Sequence, residues 1–427
     1  MANYKWTGNA LTNAFFTPGN WETGGTTATV PPGPNDFATI DNTAAAITGT
    51  GTAQVLFFEG TDEIAGHLVA TGGIPVNARL TLRPGAVLTT PRLHIPVALQ
   101  PPPLAGTVTV GKDSSVVISG PHTLNDYAIM LAGEPESNGT LLVDGEHAVV
   151  NGGNLPMSVG QDGNGQMTIK NGAVVAIGND DPLIYPWALV IGNHISSTGQ
   201  VATGKVTVSD ASLVARGQII VGRNDTGTLE VNAGASVVAE DMAIGWAPSP
   251  GAGQQAGQGS VSVNGDKARL VVANFLEVQH MGTGSLTVTG KGSVSVGEGI
   301  FVNGTLSLSD GQIETRALGL GDKGTLKGHG TVTAATGFVL SGTVTAGKSL
   351  NLVGDIDNSG TITVAAGGHL RCFGTLLADN GTIGLQANSV ATVEAVQTGQ
   401  PVTFSGPDAR LELRSPGAFS GTIDRFA

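Results

Sequence analysis

The chain has 427 residues, of which 65 are Gly, 12% are charged and 4% are aromatic, while 40% are hydrophobic. Its formal net charge is −13, from 20 Lys plus Arg against 33 Asp plus Glu. Without a basic cluster, such a surface repels phosphate and anionic lipid, so no nucleic-acid partner is expected. The single Cys372 excludes an internal disulfide and a Cys-rich zinc site, and no apolar run is long enough to cross a membrane as a helix.

The start, MANYKWTGNA, lacks the basic segment and apolar run of a signal peptide. Residues 1–60 concentrate the large aromatics, with Trp6, Trp21, Phe15, Phe16, Phe37, Phe57 and Phe58. In a chain otherwise poor in aromatics, this reads as a cap with the first strands, with Trp6 and Trp21 as cap or end-contact residues.

From residue 61 the apolar content is mainly Val, Ala, Leu and Ile, side chains that fill narrow layered interiors. A pattern of Gly, polar, apolar, polar, apolar recurs as GTVTV at 106–110, GTLLV at 139–143, GQMTI at 165–169, GKVTV at 204–208, GTLEV at 227–231 and GSVSV at 259–263. It returns as GSLTV at 284–288, GTLSL at 304–308, GTLKG at 324–328, GTVTA at 342–346, GTITV at 360–364 and GTIGL at 381–385. Alternation at period two marks a strand with one buried face. A second strand follows the early copies, as in GAVVA at 172–176 and ASLVA at 211–215. A third ends at a glycine, as in LVIG at Gly192, IIVG at Gly222 and MAIG at Gly245, and another copy is IFVNG at Gly304. Three strands per repeat with Gly-rich corners predict one coil of a three-sided parallel β-helix, whose inner face is buried only when coils stack.

Copies beyond residue 284 come every 18 to 21 residues, close to a minimal coil of about 20, whereas earlier gaps reach 39. The excess falls at two corners, in PHTLND at 121–126, NDDPLIYPW at 179–187, GNHISSTGQVATG at 192–204 and GWAPSPGAGQQAGQG at 245–259. The predicted organisation is therefore a cap at 1–60, a β-helix with insertions at 61–283, a regular short-coil β-helix at 284–400 and a closing or assembly segment at 401–427. Phe419 and Phe426 are its candidate cap or end-contact residues.

The opening WTGNALTNAFFTPGNWETGG with VPPGPNDFATID resembles bacterial β-helical surface proteins of the autotransporter-passenger type, as do the units VGRNDTGTLEVNAGASVV at 221–238 and VQHMGTGSLTVTGKGSVSV at 278–296. The resemblance covers most of the chain. It implies a right-handed β-helix, exposure at the cell surface, and adhesion or self-association, but it specifies no ligand.

Several motifs have simpler readings than the chemistry their letters suggest. GTVTAGKS at 342–349 matches a phosphate-binding loop in letters, yet a strand pattern follows where a helix is required. DIDNSG at 355–360 has Ser359 at its fifth position and Ala366 at its twelfth, which do not make a calcium loop. GQDGNG at 160–165 and GNDDP at 178–182 read as solvated turns. The eight His are scattered without metal-ligand spacing, and neighbouring carboxylates such as Asp180–Asp181 and Glu240–Asp241 face opposite sides of a strand. Thr-x-Thr pairs at 107/109, 287/289, 343/345 and 361/363 suggest a flat hydroxyl array, interrupted by Lys205, Glu230 and Lys327. Tyr185, Trp187 and Trp246 are the aromatic candidates for a contact surface, with packing onto the solenoid as the plainer alternative.

No catalytic, cofactor-binding or metal-binding set emerges. The expected function is that of a non-enzymatic extracellular or cell-surface β-solenoid, presenting loops to a cell-surface or glycan ligand or stacking end to end with itself, without membrane insertion. The alternative is a phage tailspike-like or glycan-degrading β-helix.

Overall fold

The computed structural model describes every residue except 11, 42, 44, 97–103, 121–126, 179–185, 194–200, 248–255, 379, 398–399 and 425–427. The chain divides into two compact units, Met1–Leu229 with Pro250–Gly257 and Glu230–Ser249 with Gln258–Ala427. Each unit is a parallel β-solenoid with three strands per coil.

In the first unit, one ladder joins Ala105–Val110, Asn138–Asp144, Asn164–Lys170 and Thr203–Ser209 in parallel register. A second joins Ser115–Ile118, Val149–Asn151, Val174–Gly178 and Ser212–Arg216. The third joins Ile129–Leu131, Met157–Val159, Trp187–Asn193 and Gln218–Arg223. The alternation read from sequence sets this register. Val108, Leu141, Met167 and Val206 form one interior column and Val110, Val143, Ile169 and Val208 another, all buried. Thr109, Leu142, Thr168 and Thr207 hold the outward positions between them. A slip of one residue would turn two apolar columns to water. Burial of each Val, Leu or Ile contributes roughly 1.5–3 kcal/mol, and it is complete only when a coil has neighbours above and below.

The corner between the third and first strands explains the repeat's leading glycine. Gly160, Gly192 and Gly222 end third-ladder strands with φ of 74°, 69° and 75°, which favours glycine. Facing them, Gly165, Gly204 and Gly227 open first-ladder strands, and a Cβ on any of these would strike the backbone nitrogen of its partner glycine. One glycine is there for its backbone angle and the other for space.

At the N-terminal side, Asn3–Trp6 pairs in parallel with Phe37–Ile40 and antiparallel with Trp21–Thr23. Trp21 is fully buried, with Trp6 and Phe15 edge-on at 4.9 Å and Tyr4 at 6.4 Å. Its Nε1 donates to the Phe15 carbonyl at 2.7 Å. Trp6 and Trp21 are both buried among these N-terminal aromatics.

The second unit repeats the plan with shorter coils. Thr305 pairs with Thr325, Thr325 with Thr343, Thr343 with Thr361 and Thr361 with Thr382, in steps of 18 to 21 residues. The second ladder stacks Leu270, Val294, Ile313, Val332, Leu352, Cys372 and Val393, and the third stacks Leu276, Ile300, Leu318, Phe338, Ile356 and Leu376. Few polar groups enter this interior. Asn358 Nδ2 donates to Gln400 Oε1 at 3.0 Å, and Gln400 Nε2 donates to the Asn358 carbonyl at 2.9 Å, so the buried pair satisfies itself. Cys372 is buried between Leu352 and Val393, and burial pushes its thiol up to about 12.

Candidate functional site

Since interior columns are packed and apolar, contact with another molecule falls to the outward positions. On the first ladder of the second unit these are mostly hydroxyls. One column runs Ser285, Thr305, Thr325, Thr343, Thr361 and Thr382, and the other runs Thr287, Ser307, Lys327, Thr345, Thr363 and Gly384. Lys327 and Gly384 break the second column, and β-branched residues suit any outward strand position.

The third ladder of this unit differs. Its outward column runs Glu277, Phe301, Gly319, Val339, Asp357 and Leu377, one residue per coil. Phe301 is 50% exposed, Val339 57% and the neighbouring Phe275 46%. The two rings lie 6.2 Å apart, tilted by 33°. Each ring rests beside a glycine of the next coil, Phe275 on Gly299 and Phe301 on Gly319. A Cβ at Gly319 would approach the Phe301 ring to 3.2 Å. Covering a strand glycine with a ring protects the sheet backbone, which accounts for part of this arrangement. It does not account for Val339, which stands exposed beyond the glycine.

Between Phe301 and Leu377 the surface sinks into a groove of about 510 Å³. Gly319 and Val339 line it with apolar surface, and Asp355 and Asp357 line it with carboxylates. Thr336, Ser341 and Asn303 add neutral polar groups, and among the described residues no Lys, Arg or His lines it. Asp355 Oδ1 accepts a hydrogen bond from the Thr375 backbone at 2.8 Å. Asp357 makes no hydrogen bond or ion pair among the described residues. The volume falls within the range of ligand-binding clefts, and the balance of an apolar lining with a few polar groups matches theirs.

The aromatic residues singled out from sequence are placed differently. Trp187, in the first unit, is half-buried beneath the Arg223 guanidinium, which sits 4.7 Å above its ring. Trp246, in the second unit, stacks on His280 at 6.2 Å and bridges to Met281. Both pack on their own solenoid. Tyr185 and Phe426 lie outside the described residues, as do 121–126 and much of the other three insertions. Phe419 is half-buried and bridges to Val396.

The remaining motifs resolve into architecture. GTVTAGKS opens the strand Thr343–Val353, where Val344 and Ala346 are interior, so the letters form no phosphate cradle. DIDNSG contains the strand Ile356–Asn358 with its buried Asn358. Asp241 accepts from Asn274 Nδ2 at 3.2 Å and from the Phe275 backbone at 3.1 Å, tying one coil to the next. Among the described residues no three His, Cys, Asp or Glu side chains converge on a metal-sized site.

Sequence reasoning missed the groove. Phe301 lies within a recognised strand, IFVNG, but later third strands such as LGL at 318–320 and IDN at 356–358 no longer match the early pattern. Aligning the outward residue of each coil, one position before the last interior residue, would have exposed the column. Comparison with known family models finds no match to this chain, and a search of curated proteins finds no similar sequence, so the passenger-type resemblance rests on the residues quoted above.

Proposed function

We propose that this chain is a non-enzymatic, extracellular β-solenoid of the bacterial surface or surrounding matrix, acting by adhesion through the bare third ladder of its second unit. The observation that carries this reading is the exposed set of Phe275, Phe301 and Val339 beside a groove on one outward face. Contiguous exposed apolar surface marks interaction sites far more often than chance. The solenoid holds these residues at fixed spacing, because each belongs to a different coil tied by ladder hydrogen bonds. The passenger-like opening supports placement outside the cell.

Self-association belongs to the same reading. Leu411, Leu413 and Ile423 occupy interior positions in the last coil, yet Ile423 is 41% exposed and the two leucines are half-buried. A further layer stacked there, from continuing chain or from a second copy, would complete their burial, and in the second case a head-to-tail contact that does not close propagates into fibres.

The test is negative-stain electron microscopy and light scattering across concentration and pH, with co-sedimentation on intact bacterial cells. Retention on cells supports contact through the groove, and filaments support stacking. A monomer that binds no cell, or release of reducing ends from surface polysaccharide, would refute the adhesive, non-enzymatic reading.

A further inference from the structure

We infer that the groove between Phe301 and Leu377 takes a cationic, partly apolar segment of a partner protein, with an Arg or Lys at the Asp355 and Asp357 carboxylates and apolar side chains over Val339 and the Phe301 ring. This assignment rests on the adhesive reading and adds the chemistry of the partner.

Asp355 and Asp357 both line the groove, and no cationic side chain among its described lining residues offsets them. Asp355 has one oxygen engaged by the Thr375 backbone, and Asp357 has no partner among the described residues. Two uncompensated carboxylates repel anionic ligands, which excludes phosphorylated or uronic-acid polymers from this site. They attract a cation, and the overall charge of −13 steers one towards the protein.

The apolar lining of the groove supplies the second half of the specificity. Phe301 offers a half-exposed ring against which an apolar side chain of the segment packs. Gly319 and Val339 add apolar surface suited to an aliphatic side chain. A long basic side chain fits both demands, since its methylene stem covers apolar surface while its head stays at the carboxylates. Neutral sugars can also meet hydroxyls and carboxylates, but they leave the two negative charges uncompensated. Electrostatics therefore favours the basic peptide.

The experiment is fluorescence anisotropy at physiological salt with a labelled peptide of alternating Arg and Leu, compared with a matched peptide of alternating Glu and Leu. Wild type, the Asp355→Asn/Asp357→Asn double variant and Phe301→Ser are titrated in parallel. The amide oxygen that Asp355→Asn leaves in place can still accept the Thr375 hydrogen bond. Asp357→Asn alone serves if the double variant unfolds, because Asp357 holds nothing else in place. The expected result is binding of the Arg peptide by wild type, weakened roughly tenfold or more by either change, with no binding of the Glu peptide. Equal affinity for all three proteins would mean attraction to net charge alone and would overturn the site. Displacement of the peptide by cellohexaose would overturn the cationic assignment in favour of a glycan. Cell adhesion that requires Phe301 but ignores both aspartates would also overturn it, while leaving the adhesive reading intact.

Discussion

The two kinds of glycine in the first unit make a sharp test of how the coil is built. Gly204 opens a first-ladder strand with an ordinary backbone, but an added Cβ would collide with the Gly192 nitrogen and the Val159 carbonyl, and would come within 2.9 Å of Ile191 Cγ2. Those obstacles are largely backbone held by ladder bonds, so they cannot rotate away. Overpacking of this kind costs about 1–3 kcal/mol, and a disturbed hydrogen bond on the neighbouring coil adds roughly 0.5–1.5 kcal/mol. Gly204→Ala should therefore lose about 3 kcal/mol. Gly85 is the control. Its φ is +83° and nothing lies within 4 Å of an added Cβ, so only the backbone conformation opposes a side chain. That penalty is roughly 1–2 kcal/mol, partly offset by a less flexible unfolded chain, leaving about 1 kcal/mol. Solenoids unfold piecemeal, so hydrogen exchange followed by peptide mass spectrometry is preferable to a single melting curve. Peptides spanning 157–169 and 203–209 should exchange about a hundredfold faster in Gly204→Ala, and Gly85→Ala should leave them unchanged. Equal, small effects of both substitutions would refute the facing-glycine corner.

Other consequences are equally open to measurement. Asn358→Leu removes the donor to Gln400 Oε1, leaving that buried acceptor unpaired, and should destabilise the second unit by about 1–3 kcal/mol, whereas joint replacement of Asn358 and Gln400 by apolar residues should recover much of the loss. Urea denaturation of the single and double variants reads this directly, and additive losses would contradict the pairing. Cys372 should resist maleimide in the folded protein and react only after unfolding, because burial raises its thiol to about 12; fast native labelling would place it elsewhere. Asp62 holds an interior position, its Oδ1 accepts from the Thr43 backbone at 3.0 Å, and burial raises its carboxyl above the usual value. A raised folded value means that the unfolded chain ionises first, so this group's destabilisation grows as pH rises from about 4 towards neutrality. Wild type should accordingly gain stability relative to Asp62→Asn as pH falls through that window, and a gap independent of pH would argue against a buried charge. Trp21→Ala removes the centre of the aromatic cap and should cost about 3–5 kcal/mol in thermal or chemical melts, while a neutral result would mean the cap contributes little.

The solenoid was legible in sequence because its determinants are local. Period-two alternation gives each strand its inner face, and the recurring Gly before Thr-Val-Thr-Val marks a corner. Coil length followed from the spacing of those copies, so the columns of Val108 over Leu141 or Leu306 over Leu326 were implied before any coordinates. The groove was not legible, since its members are outward residues from different coils, separated by about one repeat each. Whether Phe301 is exposed depends on Gly319, and whether Asp357 is paired depends on its neighbours Val339 and Leu377 on the adjacent coils. Trp187 and Trp246 attracted attention as rare aromatics, but Arg223 and His280, which cover them, are distant in sequence or follow from register. Large side chains on a narrow solenoid are most often held down by a neighbouring coil, as these two are.

The most direct test of the adhesive account compares wild type with Phe301→Ser/Val339→Ser in co-sedimentation with intact bacterial cells. Both substitutions lie on the surface and should leave the melting behaviour nearly unchanged. The account predicts that wild type pellets with cells and the folded double variant stays in the supernatant. Equal retention of the two proteins would contradict it.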